Sequence, residues 1–395
     1  MQPGINSNIL KLYLIKIAKW FMLFMPIVVL FYKDNGLEMQ QVFILQAIYS
    51  VAIVALEIPS GYVADVLGRK VTLLIGSVLG FAGFMCYSFS YGFTGFLIAE
   101  IILGFGQSLI SGADSALLYD SLLAMDKKSQ YIKQEGRMVS VGNFSEAFAG
   151  ILGGLLAAIN LRYPYYAQTI IAFMAIPASF TLIEPERHKK IEALKWNDIL
   201  KVVKYSLHDH KELKWNIIFS SVIGASTLTM AWFVQPYFEL VALPVTLFGV
   251  FWTILNLTVG VSALFAHKAE AKLKQLKTMI GITILIPAGY ITVSRIDALW
   301  GIGILFLFYI VRGIATPVLK DYINQLCDSN IRATVLSVRN FVIRIFFAII
   351  GPFVGWYTDH FSLQAALLVS GSIFFILSVF TLLMNYKWMK ISSKF

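Results

Sequence analysis

The chain has 395 residues, of which 58% are hydrophobic and only 14% charged. That is too little charge to coat a soluble protein of this length, so much of the surface must face lipid. A net charge of +10 could suit a nucleic-acid partner, but the basic residues are confined to particular loops, and that distribution points to membrane orientation instead.

An apolar run of about 20 residues is needed to cross the hydrocarbon core. The first, 10–32, carries Lys16 and Lys19 and has no small-residue cleavage site behind it, so it reads as a retained span rather than a signal peptide. Further spans follow at 39–63, 71–91, 94–122, 137–160 and 164–184. After a polar stretch come 214–239, 244–267, 277–294, 298–325, 332–357 and 361–386. Backbone groups in lipid must be bonded within their own segment, and runs this long favour helices over a barrel. The expected fold is all-α and integral to the membrane, with twelve transmembrane helices in two pseudo-symmetric six-helix bundles. Residues 1–184 form the first bundle, 185–213 a cytoplasmic amphipathic linker, and 214–395 the second bundle with a short cytoplasmic tail.

With the N-terminus placed inside, the inner loops hold Arg69 and Lys70, then Lys127, Lys128, Lys133 and Arg137, the basic centre, Lys268, Lys272, Lys274 and Lys277, Arg332, and Lys387, Lys390 and Lys394. The outer loops hold only Lys33, Arg162 and Arg295. A miscounted span would have scrambled this alternation, so both termini are expected in the cytoplasm. In the linker, Trp196, Ile199, Leu200, Val203 and Leu207 share one helical face, with Lys195, Lys201 and Lys204 elsewhere, which predicts a helix lying on the inner leaflet. Cys86 and Cys327 have neither metal-ligand nor redox spacing and read as reduced structural thiols.

The halves resemble each other. Val139-Ser140-Val141-Gly142-Asn143-Phe144 opens the fifth span and Leu336-Ser337-Val338-Arg339-Asn340-Phe341 the eleventh, and the same offset sets Gly154 on Gly351. With six spans on each side of a basic linker, this predicts a parallel duplication in which two bundles rock around a site at the midplane.

Between the second and third spans stands Gly61-Tyr62-Val63-Ala64-Asp65-Val66-Leu67-Gly68-Arg69-Lys70. It resembles the signature loop of the major facilitator superfamily, G-x-x-x-D-x-x-G-R-K, in the place where that family carries it. Gly61 permits close helix approach, Gly68 a tight turn, Asp65 a bond to a helix end or an arginine, and Arg69 and Lys70 attachment to the inner face. The resemblance covers essentially the whole chain, in particular bacterial proton antiporters for drugs and metabolites. It implies that this loop latches the halves in the outward-facing state, with Asp120 as the acidic partner of Arg69. The equivalent loop of the second half, Ala266 to Lys274, keeps only Glu270 and a basic position. Two family patterns are altered. Glu100 stands where the fourth helix often has an arginine tied to proton transfer, and Ala149-Gly150-Ile151-Leu152-Gly153-Gly154 replaces G-P-x-x-G-G, while Gly351-Pro352-Phe353-Val354-Gly355 places a Gly-Pro motif on the eleventh span.

Ionisable groups inside spans are costly in lipid and are functional candidates by default. Glu100, Gln107, Ser111 and Asp114 fall on a narrow stripe if the fourth span is one helix, and are expected to line a cavity. Asn143 and Glu146 with Ser140 add a broader face, and Lys16 and Lys19 either join the site or snorkel inward. The second half supplies Arg312, Asn340 and Arg344, while Glu57 and Arg339 are read as an ion pair between halves. Arginines fix charge, whereas Glu57, Glu100, Asp114 and Glu146 can carry a proton.

No nucleophile–base pair, metal-spaced His/Cys cluster or phosphate loop is present, and the five histidines, such as His188, His208 and His210, lie mostly in the inner segment. The expectation is a monomeric secondary transporter of the bacterial inner membrane, not an enzyme, with no cofactor or metal and no nucleic-acid partner. It would move a small organic solute by alternating access, driven by protons, with efflux favoured. The alternatives are a proton-coupled uptake symporter for a polar or anionic metabolite, and a non-transporting sensor or scaffold.

Overall fold

The computed structural model describes residues 4–185, 196–328 and 331–392, leaving undescribed the side chains of 57–58, 61–62, 65, 132, 196–199, 333 and 391–392. Among the described residues there are helices and turns and no strand. In chain order the helices are α1 (Ser7–Trp20), α2 (Val28–Asp34), α3 (Met39–Leu67), α4 (Arg69–Phe89), α5 (Gly92–Ile110), α6 (Ala113–Ala124), α7 (Tyr131–Ile159) and α8 (Tyr163–Phe180). They continue as α9 (Trp196–Lys204), α10 (Lys211–Leu240), α11 (Val245–Leu264), α12 (Ala266–Val293), α13 (Ile302–Gln325), α14 (Arg332–His360) and α15 (Leu363–Ser392). Among the described residues, 11 helical stretches are long and apolar enough to cross a membrane. The remaining expected span, 164–184, is α8, which has only 18 residues and opens with Tyr163-Pro164-Tyr165-Tyr166 and Gln168.

The chain divides into two compact units: 1–37, 48–193 and 244–253 in the first, and 38–47, 194–243 and 254–395 in the second. In the first, α4 packs along α5 and α8, and α1 lies against α8 and α7 around a core of Leu12, Ile15, Leu73, Leu117, Leu118 and Leu122. In the second, α10 is central, packed by α13, α14 and α15 and buried nearly all round through Ile217, Phe219, Val222, Ala225 and Phe233, as an all-round apolar helix must be. The unit boundaries differ from the sequence halves at 38–47 and 244–253. Phe43 of the first stretch packs edge-on against Phe233 and tilted against Phe347, and Gly249 of the second lies on Gly150 and Gly154.

Two expected helices are broken, and a third helix begins earlier than expected with a kink. The first span splits into α1 and α2 around Met25-Pro26-Ile27, because proline has no N–H to continue the ladder. The Leu23 N–H in this gap donates to Gln168 Oε1 at 3.0 Å, so that amide is not left bare. The fourth span splits into α5 and α6 where Ser111 turns extended and Gly112 takes φ +85°, a conformation that glycine adopts freely. At Lys274, φ 60°, α12 turns from a short basic helix into a span.

The linker helix α9 and the π-turn 205–209 after it dock differently from the expected lipid-facing stripe. Val202, Tyr205 and Leu207 pack onto Leu213, Ile323, Cys327 and Val335, whereas Leu200 is exposed. Trp196 and Ile199 have side chains outside the described residues. Both cysteines are free, and burial pushes the Cys327 thiol up, so it stays protonated.

Candidate functional site

The motif loop is built first, because its geometry is the most complete. Gly68 takes φ +99°, and a Cβ there would meet Glu184 Cδ at 3.3 Å. Glu184 closes the turn: its carboxylate accepts from the first two amides of α4, Arg69 N at 3.0 Å and Lys70 N at 2.6 Å. An acid on bare amides at the positive end of a helix is stabilising. The Arg69 side chain turns the other way, donating to the Asp120 carboxylate and the Ala116 carbonyl of α6, and Arg69 is buried. Lys70 lies over the Phe180 ring at 5.9 Å. Glu57, Gly61 and Asp65 lie within α3, but their side chains are outside the described residues. Glu184→Ala is expected to lower stability by about 1 kcal/mol, the usual worth of a helix cap, measured as a reduced thermal midpoint in detergent.

The break at Gly112 sets up the second group. It places Asp114 in the first turn of α6, buried, with Oδ1 accepting the Ser115 N–H at 2.8 Å. Oδ2 receives the Lys16 ammonium at 3.5 Å, and Lys19 lies within electrostatic reach of the same carboxylate. Lys16 therefore points into the bundle rather than snorkelling. Ser115 Oγ donates to Glu135 Oε1 at 2.7 Å, while Glu135 Oε2 is buried and has no hydrogen-bond partner among the described residues. Glu135 was passed over in the sequence because it sits in the polar first turns of α7 among Lys133, Gln134 and Arg137.

Glu100 belongs to a different group, and this corrects the single stripe on the fourth span. The helix is interrupted, so spacing arithmetic does not carry from Glu100 to Asp114. Glu100 is buried in the first unit and accepts the Tyr32 hydroxyl at 2.8 Å. Tyr87 OH lies 2.5 Å from Tyr32 OH and is the donor to it, because Tyr32's proton is committed to the carboxylate. The Tyr165 ring stacks beside Tyr87 at 5.3 Å. Gln107 is half-buried and Ser111 exposed. On α7, Asn143 is exposed and Glu146 half-buried. Nearby in the same unit, Arg162 staples three turns by donating to Asn35 Oδ1 and to the Ser88 and Ser90 carbonyls.

In the second unit Arg339 is buried and donates from Nε to Ser220 Oγ at 2.6 Å and from Nη1 to Asn340 Oδ1 at 3.2 Å; among the described residues no carboxylate pairs with it. Its expected partner Glu57 lies outside the described side chains. Arg312 and Arg344 are half-buried on α13 and α14. Chemically, the first unit offers carboxylates able to take up and release a proton, and the second offers fixed cations. Among the described residues, no three of His, Cys, Asp and Glu gather as a metal-ligand set.

Comparison with known proteins bears on the family and the fold. The sequence model described as "Major Facilitator Superfamily" matches residues 12–351. The quinolone resistance protein NorA of Staphylococcus aureus is 23% identical over 161 residues, covering 41% of this chain and 40% of that protein's length. The fold is similar to that of the nucleoside transporter NupG in a mutant form, with TM-score 0.79 and 14% identity over 98% of this chain and 99% of that one. It is also similar to a bacterial homolog of the human lysosomal transporter Spinster, with TM-score 0.75 and 13% identity over 99% of this chain and 98% of that one.

Proposed function

The chain belongs to the major facilitator superfamily, a multi-pass membrane transporter rather than an enzyme, and from that premise we propose that it exports a small organic solute in exchange for protons. It works by alternating access in the inner membrane of a bacterium, as a monomer with both termini in the cytoplasm. The observation that carries the proton is Asp114, a buried carboxylate held by Lys16 at 3.5 Å on a helix end created by a glycine break. Buried carboxylates exchange protons when their partners move, and here protonation would release Lys16. In the export cycle the charged carboxylate attracts a donor group of the solute, and a proton arriving from outside displaces it. The likeness to NorA supports export. The motif loop, with Arg69 on Asp120 and Glu184 on α4, holds the inner side when the site faces outward.

A second reading is favoured by the same ion pair. Once Asp114 is protonated, Lys16 and Lys19 are left without their counter-charge and suit an acidic solute, which would make the protein an uptake symporter.

Purified protein in vesicles with an imposed pH gradient separates the two. Small organic anions, zwitterions and amphipathic amines are added in turn, and both internal pH and solute are followed. Export requires protons and solute to cross in opposite directions, and symport requires the same direction. If folded protein moves neither with any class, it is a sensor or scaffold, and the transport proposal falls.

A further inference from the structure

Asp359 stands in the last turn of α14, yet its carboxylate sits on the first turn of α3. The Met39 N–H donates to Oδ1 at 2.9 Å and the Gln40 N–H to Oδ2 at 2.8 Å. An acid in the last turn of its own helix opposes that helix's dipole, whereas on the bare amides of another helix it is stabilising. The placement therefore serves α3, not α14. The rest of the junction is apolar and close. A Cβ on Gly355 would lie 2.8 Å from Gln40 Cα, and one on Gly351 would lie 2.8 Å from the Phe43 ring. Phe43 packs edge-on against Phe233 at 5.3 Å. Only the first turns of α3 are held this way, since from Ile48 onward the helix belongs to the other compact unit. Asp65 occupies the matching place in α3, two residues before its end at Leu67, as Asp359 is one residue before the end of α14 at His360. Each of the two helices thus carries an acid near its C-terminus.

We propose that Asp359 is a positioning residue of the transport cycle: an external latch whose carboxylate holds the start of α3 to the end of α14 while the outer side is closed, and lets go when it opens. The proposal rests on the transport reading and gives the outer side a counterpart to the motif loop on the inner side.

The test needs no solute. Cys86 and Cys327 are replaced by serine and Val42, fully buried at the junction, by cysteine. An impermeant maleimide is then added to the outside of intact cells. Asp359→Asn is expected to raise the labelling rate about tenfold, and Asp359→Ala to raise it further. Met39→Pro removes one donor N–H from the other side of the contact, at a helix position where proline is tolerated, and is expected to raise the rate in the same direction. Labelling at the parent rate in folded Asp359→Asn or Met39→Pro protein overturns the latch. Should the Asp359 variants fail to fold, Met39→Pro alone decides. Faster labelling beside an absence of solute flux in vesicles keeps the latch and removes the transport reading.

Discussion

Asp114→Asn is expected to abolish accumulation driven by a pH gradient. With one proton per solute, a gradient of one pH unit is worth about 1.4 kcal/mol and sustains about a tenfold solute ratio. A side chain that binds no proton cannot couple to that gradient, so the ratio should fall to about one. The amide also leaves Lys16 and Lys19 without their counter-charge, and a buried charge robbed of its partner costs roughly 3–5 kcal/mol. The single variant should therefore be less stable than the parent. Adding Lys16→Met should recover part of that stability without restoring coupling, a non-additivity that separates the folding defect from the functional one. A Asp114→Asn protein that still concentrates solute against its gradient would remove Asp114 from the proton path and leave Glu100 or Glu135 to carry it.

The second large effect is steric. A Cβ on Gly153 would lie 1.8 Å from the Leu23 carbonyl oxygen and 2.7 Å from the carbonyl carbon, in the gap between α1 and α2. Both atoms are backbone and cannot rotate away, unlike the tip of a side chain. Gly153→Ala should therefore destabilise by about 3 kcal/mol or more, at the upper end of overpacking effects, and Gly153→Leu should yield little monodisperse protein in detergent. Gly136→Ala, in the same helix with nothing within 4 Å of the new carbon, is the control. It should be neutral, or stabilising by up to about 1 kcal/mol from helix propensity. Equal losses in the two variants would mean that α7 does not press on that turn.

The membrane-spanning helices were legible because composition alone demands them: long apolar runs report spans without any tertiary information. Arg69 and Asp120 were legible for a similar reason, as a motif base and an acid both assigned to inner helix ends. Glu100 and Asp114 were not separable. Helical spacing assumes an unbroken helix, and a hydropathy window averages across Gly112, although that glycine is itself the visible signal of a break. Pro26 marks the first break in the same way. The acceptor for Leu23 lies 145 residues away in Gln168, and the donors for Asp359 lie about 320 residues away, separations at which only folding brings partners together. Glu184 was taken as the last residue of a span, and its role as the cap of α4 depends on where α8 delivers it.

The crossing of α7 and α11 is made of glycine on glycine: a Cβ on Gly249 would fall 2.1 Å from the Gly150 carbonyl oxygen, and one on Gly154 would fall 2.9 Å from the Gly249 amide nitrogen. The glycines have no side-chain rotamers to freeze, and beside them Thr253 Oγ1 donates to the Ala147 carbonyl at 3.0 Å. The two backbones therefore lie directly against each other within the first compact unit. That closeness makes the crossing intolerant, since even an added methyl group would clash with the facing backbone.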